Sequence, residues 1–180
     1  MYMEDIKEVH GYKAFFSDHT NRHGMEFIEG ATYKTVGDVS FGNKSTGGFH
    51  MCKRLEDTLR YFPPKEIDIS IASVTGRGKI VEYEDDYYGY YDVYACEEIT
   101  INKFLTREEI LSIYLGDKVP YDERIIRFIQ LFNLNDLEVE LFKDRFGDNY
   151  RIMQNIGYYC DRDEEAFIKN LCREKNVRKR

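Results

Sequence analysis

Through the first hundred residues apolar side chains recur on a two-residue beat; after Leu105 the beat lengthens to that of a helix. HGYKAFF (10–16) is a compact aromatic strand, and MEFIEGATYKTVG (25–37) holds two short strand-like runs broken at Gly30. IDISIASV (67–74) alternates Ile67, Ile69 and Ile71 with polar residues, as a half-buried strand does. Lys79–Tyr83 and DVYACEEITI (92–101) give two further strands. Thr75-Gly76-Arg77-Gly78 is predicted as a turn, and DDYYGYY as a hairpin tip or exposed loop. One helix interrupts this series. After the polar loop GNKSTGG and the strand GFHMC, Leu55, Leu59 and Phe62 fall at helical spacing, opposite Lys53, Arg54, Glu56, Asp57 and Arg60. Pro63-Pro64 stops that helix, because proline cannot supply the next backbone donor.

Beyond Leu105, Thr106 followed by Glu109 fits a capping box opening REEILSIYLG, which Gly116 closes. ERIIRFIQLF places Ile125, Ile126, Ile129 and Phe132 on one face, and NDLEVELFKDRFG places Leu137, Leu141 and Phe142. Two more short helices are predicted near 149–158 and 163–174. The pattern predicts an α+β fold: a twisted, mostly antiparallel sheet in residues 1–104, with a helical subdomain, 105–180, packed on it.

Composition changes this picture in three places. The 15 tyrosines and 12 phenylalanines promise an aromatic core, and 180 residues suffice to bury about two thirds of the unfolded surface. The net charge of −7 disfavours nucleic-acid binding over a broad basic face, leaving only the basic tail Arg173–Arg180 (REKNVRKR) for such contacts. Cys52, Cys96, Cys160 and Cys172 are widely spaced without a CxxC pair and read as reduced thiols. With no leader-like start and no apolar run near the length of a membrane span, the expected setting is the cytoplasm, away from membranes.

Four stretches invite a chemical reading. His19, His23, His50 and Cys52 offer nitrogen and sulfur ligands that would suit a tetrahedral zinc, although HTNRH lies in a loop-like context and no metal is favoured. Cys52 with His50 two residues away shares a strand face, yet spacing supplies neither a lowered thiol pKa nor an oxyanion site. TGRGK lacks the spacing of either phosphate-binding glycine loop. The most unusual feature is an acidic tyrosine run: Glu84, Asp85, Asp86, Tyr87, Tyr88, Tyr90 and Tyr91 combine carboxylates with rigid amphipathic rings, a surface suited to a partner with a basic face.

GYKAF, NRHGMEF followed by EGATY, and GGFHMC leading into a helix ending RYFPP together resemble an uncharacterised domain family associated with bacteriophage and prophage genomes. The resemblance spans about residues 10–101 and is carried by Gly11, Tyr12, Lys13, Arg22, Gly24, Glu26, Gly30, Gly48, Phe49, His50 and Cys52. The chain departs from it where Arg22-His23-Gly24-Met25 interrupts an RGF-like element and Asn21 stands for a cysteine. The resemblance implies a pocket around Lys13, Arg22, Glu26 and His50. It also implies a phage-type noncatalytic acidic protein that inhibits a host macromolecule, a host protein or nucleoprotein such as a defence nuclease, with no cofactor.

The order of strands also resembles, at the level of fold, the ADP-ribosyltransferase arrangement. That resemblance implies an NAD pocket lined by Lys13, Tyr61 and Glu97 or Glu98, the glutamate orienting a ribose hydroxyl. An enzyme of this kind is the alternative to the binding protein, and a small zinc module is the third reading.

Overall fold

β1 (Glu8–Phe16) alternates as its sequence predicts: Val9, Gly11 and Phe15 are buried and share a face with Lys13, while Glu8 and His10 are exposed. The computed structural model describes residues 8–39, 47–62, 69–85, 91–116, 118 and 121–160, with residues 83–85 and 91–92 described by backbone alone. The chain divides into two compact units, Met1–Ile110 and Leu111–Arg180.

In the first unit β1 is joined by β2 (Thr32–Lys34), β3 (Phe49–Cys52), β4 (Ile69–Asp85) and β5 (Tyr91–Phe104) in one antiparallel five-stranded sheet. β5 is the hub. One edge pairs with β4, and the other carries β3 opposite Val93–Cys96 and β2 opposite Glu98–Thr100. β1 pairs with β4 from Glu8 opposite Arg77 to Phe16 opposite Ile69, and meets β3 at Tyr12 opposite Cys52. The ladders therefore close into a ring, β1–β4–β5–β3–β1, which removes the open edges those strands would otherwise present. Phe15, Phe27, Met51, Ile99 and Ile101 fill the core, with the Phe15 ring 5.0 Å from Phe27 and 5.6 Å from Phe104. Each such side chain fully withdrawn from water contributes about 1.5–3 kcal/mol.

The predicted turn at Thr75–Gly78 is instead part of β4, which runs unbroken through it. The ladder to β5 shifts register between Arg77 and Ile80, and Gly78 adopts φ +78°, so the glycine makes a bulge within the strand rather than a reversal of the chain. Lys79–Tyr83 accordingly continues the same strand.

The helix after GFHMC is shorter than its periodicity suggests: α1 (Leu55–Thr58) passes at once into a 3₁₀ turn, Leu59–Tyr61. Leu55, Leu59 and Phe62 are buried as expected, but Asp57, placed on the polar face by the pattern, is buried too. The Pro63-Pro64 stop lies outside the described residues.

α2 (Arg107–Leu115) opens on the expected capping box: Glu109 N donates to Thr106 Oγ1 at 3.3 Å, and Thr106 N donates to Glu109 Oε2 at 2.9 Å. In the second unit α3 (Asp122–Leu131), α4 (Asp136–Phe146) and α5 (Tyr150–Tyr159) pack around stacked rings, with Phe128 4.2 Å from Tyr114 and 5.7 Å from Phe142. The inward face of α4 differs from the predicted one. Leu137 is 71% exposed and Leu141 43%, while Val139, Phe142 and Phe146 are buried. Both stripes have helical spacing, and the one carrying two phenylalanines removes more apolar area from water. The predicted 163–174 helix lies outside the described residues, and no described helix is long and apolar enough to cross a membrane.

Candidate functional site

Lys13 is the residue out of place in β1. Alternation sets it on the face of Val9, Gly11 and Phe15, where an apolar side chain would continue the core. Its Nζ donates a 2.8 Å hydrogen bond to the carbonyl oxygen of His50 in β3 and lies 5.8 Å from the centroid of the Phe15 ring. No carboxylate pairs with it among the described residues. Withdrawal from water lowers the Lys13 pKa below the ordinary lysine value, an effect that the neighbouring Cys52 and Cys96 thiols oppose.

Lys13 opens onto a cavity of about 360 Å³. The loop after β1 supplies its second cation. Asp18 Oδ1 accepts from the backbone and hydroxyl of Thr20, and Asn21 Oδ1 accepts from His23 N and Met25 N, so two side-chain turns fix the loop. Arg22 projects from it, exposed, with its guanidinium 5.7 Å from the centroid of the Phe62 ring and no ion pair among the described residues. Phe49 and Tyr61 add aromatic lining, and His50 lines the same space. Burial and the Lys13 charge together push the His50 pKa down, so its imidazole is neutral near pH 7. Behind Lys13, Cys96 Sγ donates to Phe49 O at 3.3 Å, and burial pushes this thiol up to about 11. A cationic, aromatic-walled pocket thus sits in a chain of net charge −7.

The family described as Domain of unknown function (DUF7666) matches residues 9–113, more than half of the chain. The chain belongs to this family. Every residue lining the cavity, from Tyr12 to Val93, falls inside the DUF7666 segment, whereas α3, α4 and α5 lie beyond it. An uncharacterised domain family is what the glycine and aromatic motifs resemble. No curated protein and no solved structure matches the chain.

The DUF7666 fold brings together Lys13, Arg22 and His50 from the predicted pocket, and adds Tyr61, His23 and Cys52. Glu26 does not join them: it is exposed and bridges Thr20 through the backbone. The residues of the dinucleotide reading are split. Lys13 and Tyr61 line the cavity, but Glu97 and Glu98 lie away from it and hold Lys34 of β2 at 3.2 and 2.9 Å. Glu97 also accepts from Lys79 N, and these contacts hold its carboxyl below the usual range. The zinc set is likewise not assembled. His19, with φ +64°, stacks on Phe104 at 3.7 Å, and no three His, Cys, Asp or Glu side chains come together as metal ligands among the described residues.

Of the acidic tyrosine run, Glu84 and Asp85 continue β4 and Tyr91 opens β5, with Asp85 opposite Tyr91. Asp86, Tyr87, Tyr88 and Tyr90, like the tail Arg173–Arg180, lie outside the described residues. Phe49 and Phe62 enter the pocket without having been singled out as site residues. The signal available for them was Lys13 itself, a lysine on the apolar beat of β1, which requires neighbours from β3 and the helix after it.

Proposed function

We propose that the protein is a noncatalytic binding protein whose pocket takes a small anionic ligand bearing a planar ring. The observation that carries this reading is Lys13, a cation withdrawn from water and facing a cavity with no carboxylate beside it among the described residues. A partly buried charge without a counter-charge carries a desolvation cost, and a bound carboxylate or phosphate offsets that cost. Arg22 supplies a second, permanently charged donor, while Phe49, Tyr61 and Phe62 give the cavity an aromatic lining suited to a planar ring. The volume lies within the range of small-molecule sites.

The reading is tested by thermal melting against a panel of ring carboxylates and phosphates, benzoate among them. A ligand at a hundred times its Kd stabilises the native state by about 2.7 kcal/mol, a shift easily read. Melting that no panel member raises would remove the pocket reading.

A second reading concerns the acidic tyrosine run. β4 and β5 stay paired out to Asp85 opposite Tyr91, so the ends of the run are held side by side on a hairpin. The carboxylates and tyrosines of the run are of a composition that favours docking on a basic surface. With the phage and prophage setting that the motifs imply, this is the reading of a counter-defence inhibitor acting on a host protein or nucleoprotein. Replacing Asp85, Asp86, Tyr87 and Tyr88 together is expected to abolish capture of such a partner; undiminished capture and inhibition by that variant would defeat it.

A further inference from the structure

Two nucleophiles lie near enough to feel each other's charge, Lys13 of β1 and Cys96 of β5, and they differ in readiness. Cys96 is fully buried, donates to the carbonyl of Phe49, and is held as the thiol by burial. Lys13 instead faces the cavity, rooted in a strand paired on both sides, with its nitrogen placed by the His50 carbonyl 2.8 Å away. No carboxylate neutralises its charge by pairing among the described residues, and withdrawal from water favours the uncharged amine against the opposing pull of Cys52 and Cys96. An uncharged lysine amine at the wall of a cavity is a nucleophile toward carbonyl carbon.

We infer that Lys13 captures the carbonyl group of an aromatic oxo-acid, an aldehyde or ketone carrying an anionic group, as a reversible imine, with Arg22 holding the anionic end. This rests on the pocket's taking an anionic ring ligand. The amine nitrogen adds to the carbonyl carbon, the carbonyl oxygen leaves as water with the two amine protons, and a C=N bond replaces C=O. No oxidant or reductant enters, and water reverses the step. His50, in the same cavity and neutral near pH 7, is placed to accept and return the proton that moves from nitrogen to oxygen. Arg22 cannot compete for the carbonyl, because guanidinium stays charged, so the amine and the guanidinium divide the work.

The test uses the full chain at neutral pH with 4-formylbenzoate and cyanoborohydride, which fixes the imine as a secondary amine, followed by peptide mass mapping. Benzoate is titrated in parallel as the anion without the carbonyl. Lys13 is expected to be labelled about tenfold faster than exposed lysines such as Lys34 and Lys103, because its lowered pKa leaves more of the amine uncharged. Benzoate is expected to slow the labelling. Lys13→Arg should lose the fast label, because a guanidinium does not form the imine.

Benzoate that binds while Lys13 is labelled no faster than Lys34 overturns the imine and leaves the anion pocket standing. Fast labelling that saturating benzoate does not slow also overturns the inference, since the ligand's anionic end would then play no part. Failure of benzoate to bind, with no preference for Lys13, removes both. The mapping is made on the unaltered chain, so the result does not depend on a variant that folds.

Discussion

Gly11 of β1 lies so close to the carbonyl oxygen of Cys52 in β3 that a Cβ at position 11 would overlap it, and would also stand 2.7 Å from Cε of Met51. This is the contact beside which Tyr12 pairs with Cys52 and the strand ring closes. Because the neighbour is backbone, it cannot swing aside as a side chain would. Gly11→Ala is expected to destabilise the fold by about 1–3 kcal/mol, as overpacking does. A urea unfolding midpoint unchanged by the substitution would show that β1 and β3 can separate at no cost.

The bulge in β4 makes a second prediction about backbone. Gly78 sits at φ +78°, where an L side chain is strained by about 1–2 kcal/mol, and its Cβ would also meet the Glu97 side chain. Gly78→Ala should lower stability by that amount while leaving the β1–β4 pairing intact. Equal stability of the two proteins would mean that the bulge is not built on the glycine.

Lys13 makes stability depend on alkaline pH in a definite sense. Its pKa is lowered in the folded state, so between that value and the ordinary lysine value the unfolded chain binds more protons. Stability therefore rises as pH increases through this window. Lys13→Met is expected to be more stable than the parent at pH 7, with the advantage shrinking as pH approaches 10.5. Unfolding curves at a series of pH values check this; a gap that stays constant or widens is the contrary result.

His50 acts in the same direction on the acid side. Burial and the Lys13 charge lower its pKa, so as pH falls below 6.5 the unfolded chain gains a proton that the folded chain refuses. Acid destabilisation in the first unit should be shallower in His50→Gln over that window. An NMR titration in which the His50 ring protonates at or above the ordinary value would contradict the burial that the pocket gives it.

Much of this architecture is written in local periodicity. The beat of HGYKAFF and DVYACEEITI, and the Thr106/Glu109 box, need only near neighbours to be interpreted, and β1, β5 and α2 stand where they predict. The departures arise where a distant partner decides. TGRGK carries two glycines that serve equally in a turn or a bulge, and only the long β5 ladder makes it a bulge. In α4 two apolar stripes compete, and the phenylalanines stacked toward Phe128 win over Leu137 and Leu141.

The site divides in the same way. Lys13, Arg22 and His50 come from three separate segments and do meet, whereas Glu97 and Glu98 answer to Lys34 across the β2–β5 ladder. Sequence spacing holds no information on which strand edge a carboxylate will face after the ring closes. The aromatic lining from Phe49 and Phe62 follows from that closure as well.

Lys13 is the group on which the pocket's affinity for an anionic ring ligand depends. Calorimetric titration of benzoate at pH 7 into the parent protein and into Lys13→Met, both first shown to melt cooperatively, tests it most directly. We predict saturable binding to the parent and affinity at least about tenfold weaker in the variant, a loss of about 1.4 kcal/mol. Equal affinity in the two proteins would contradict the assignment of the pocket to an anionic ligand held by Lys13.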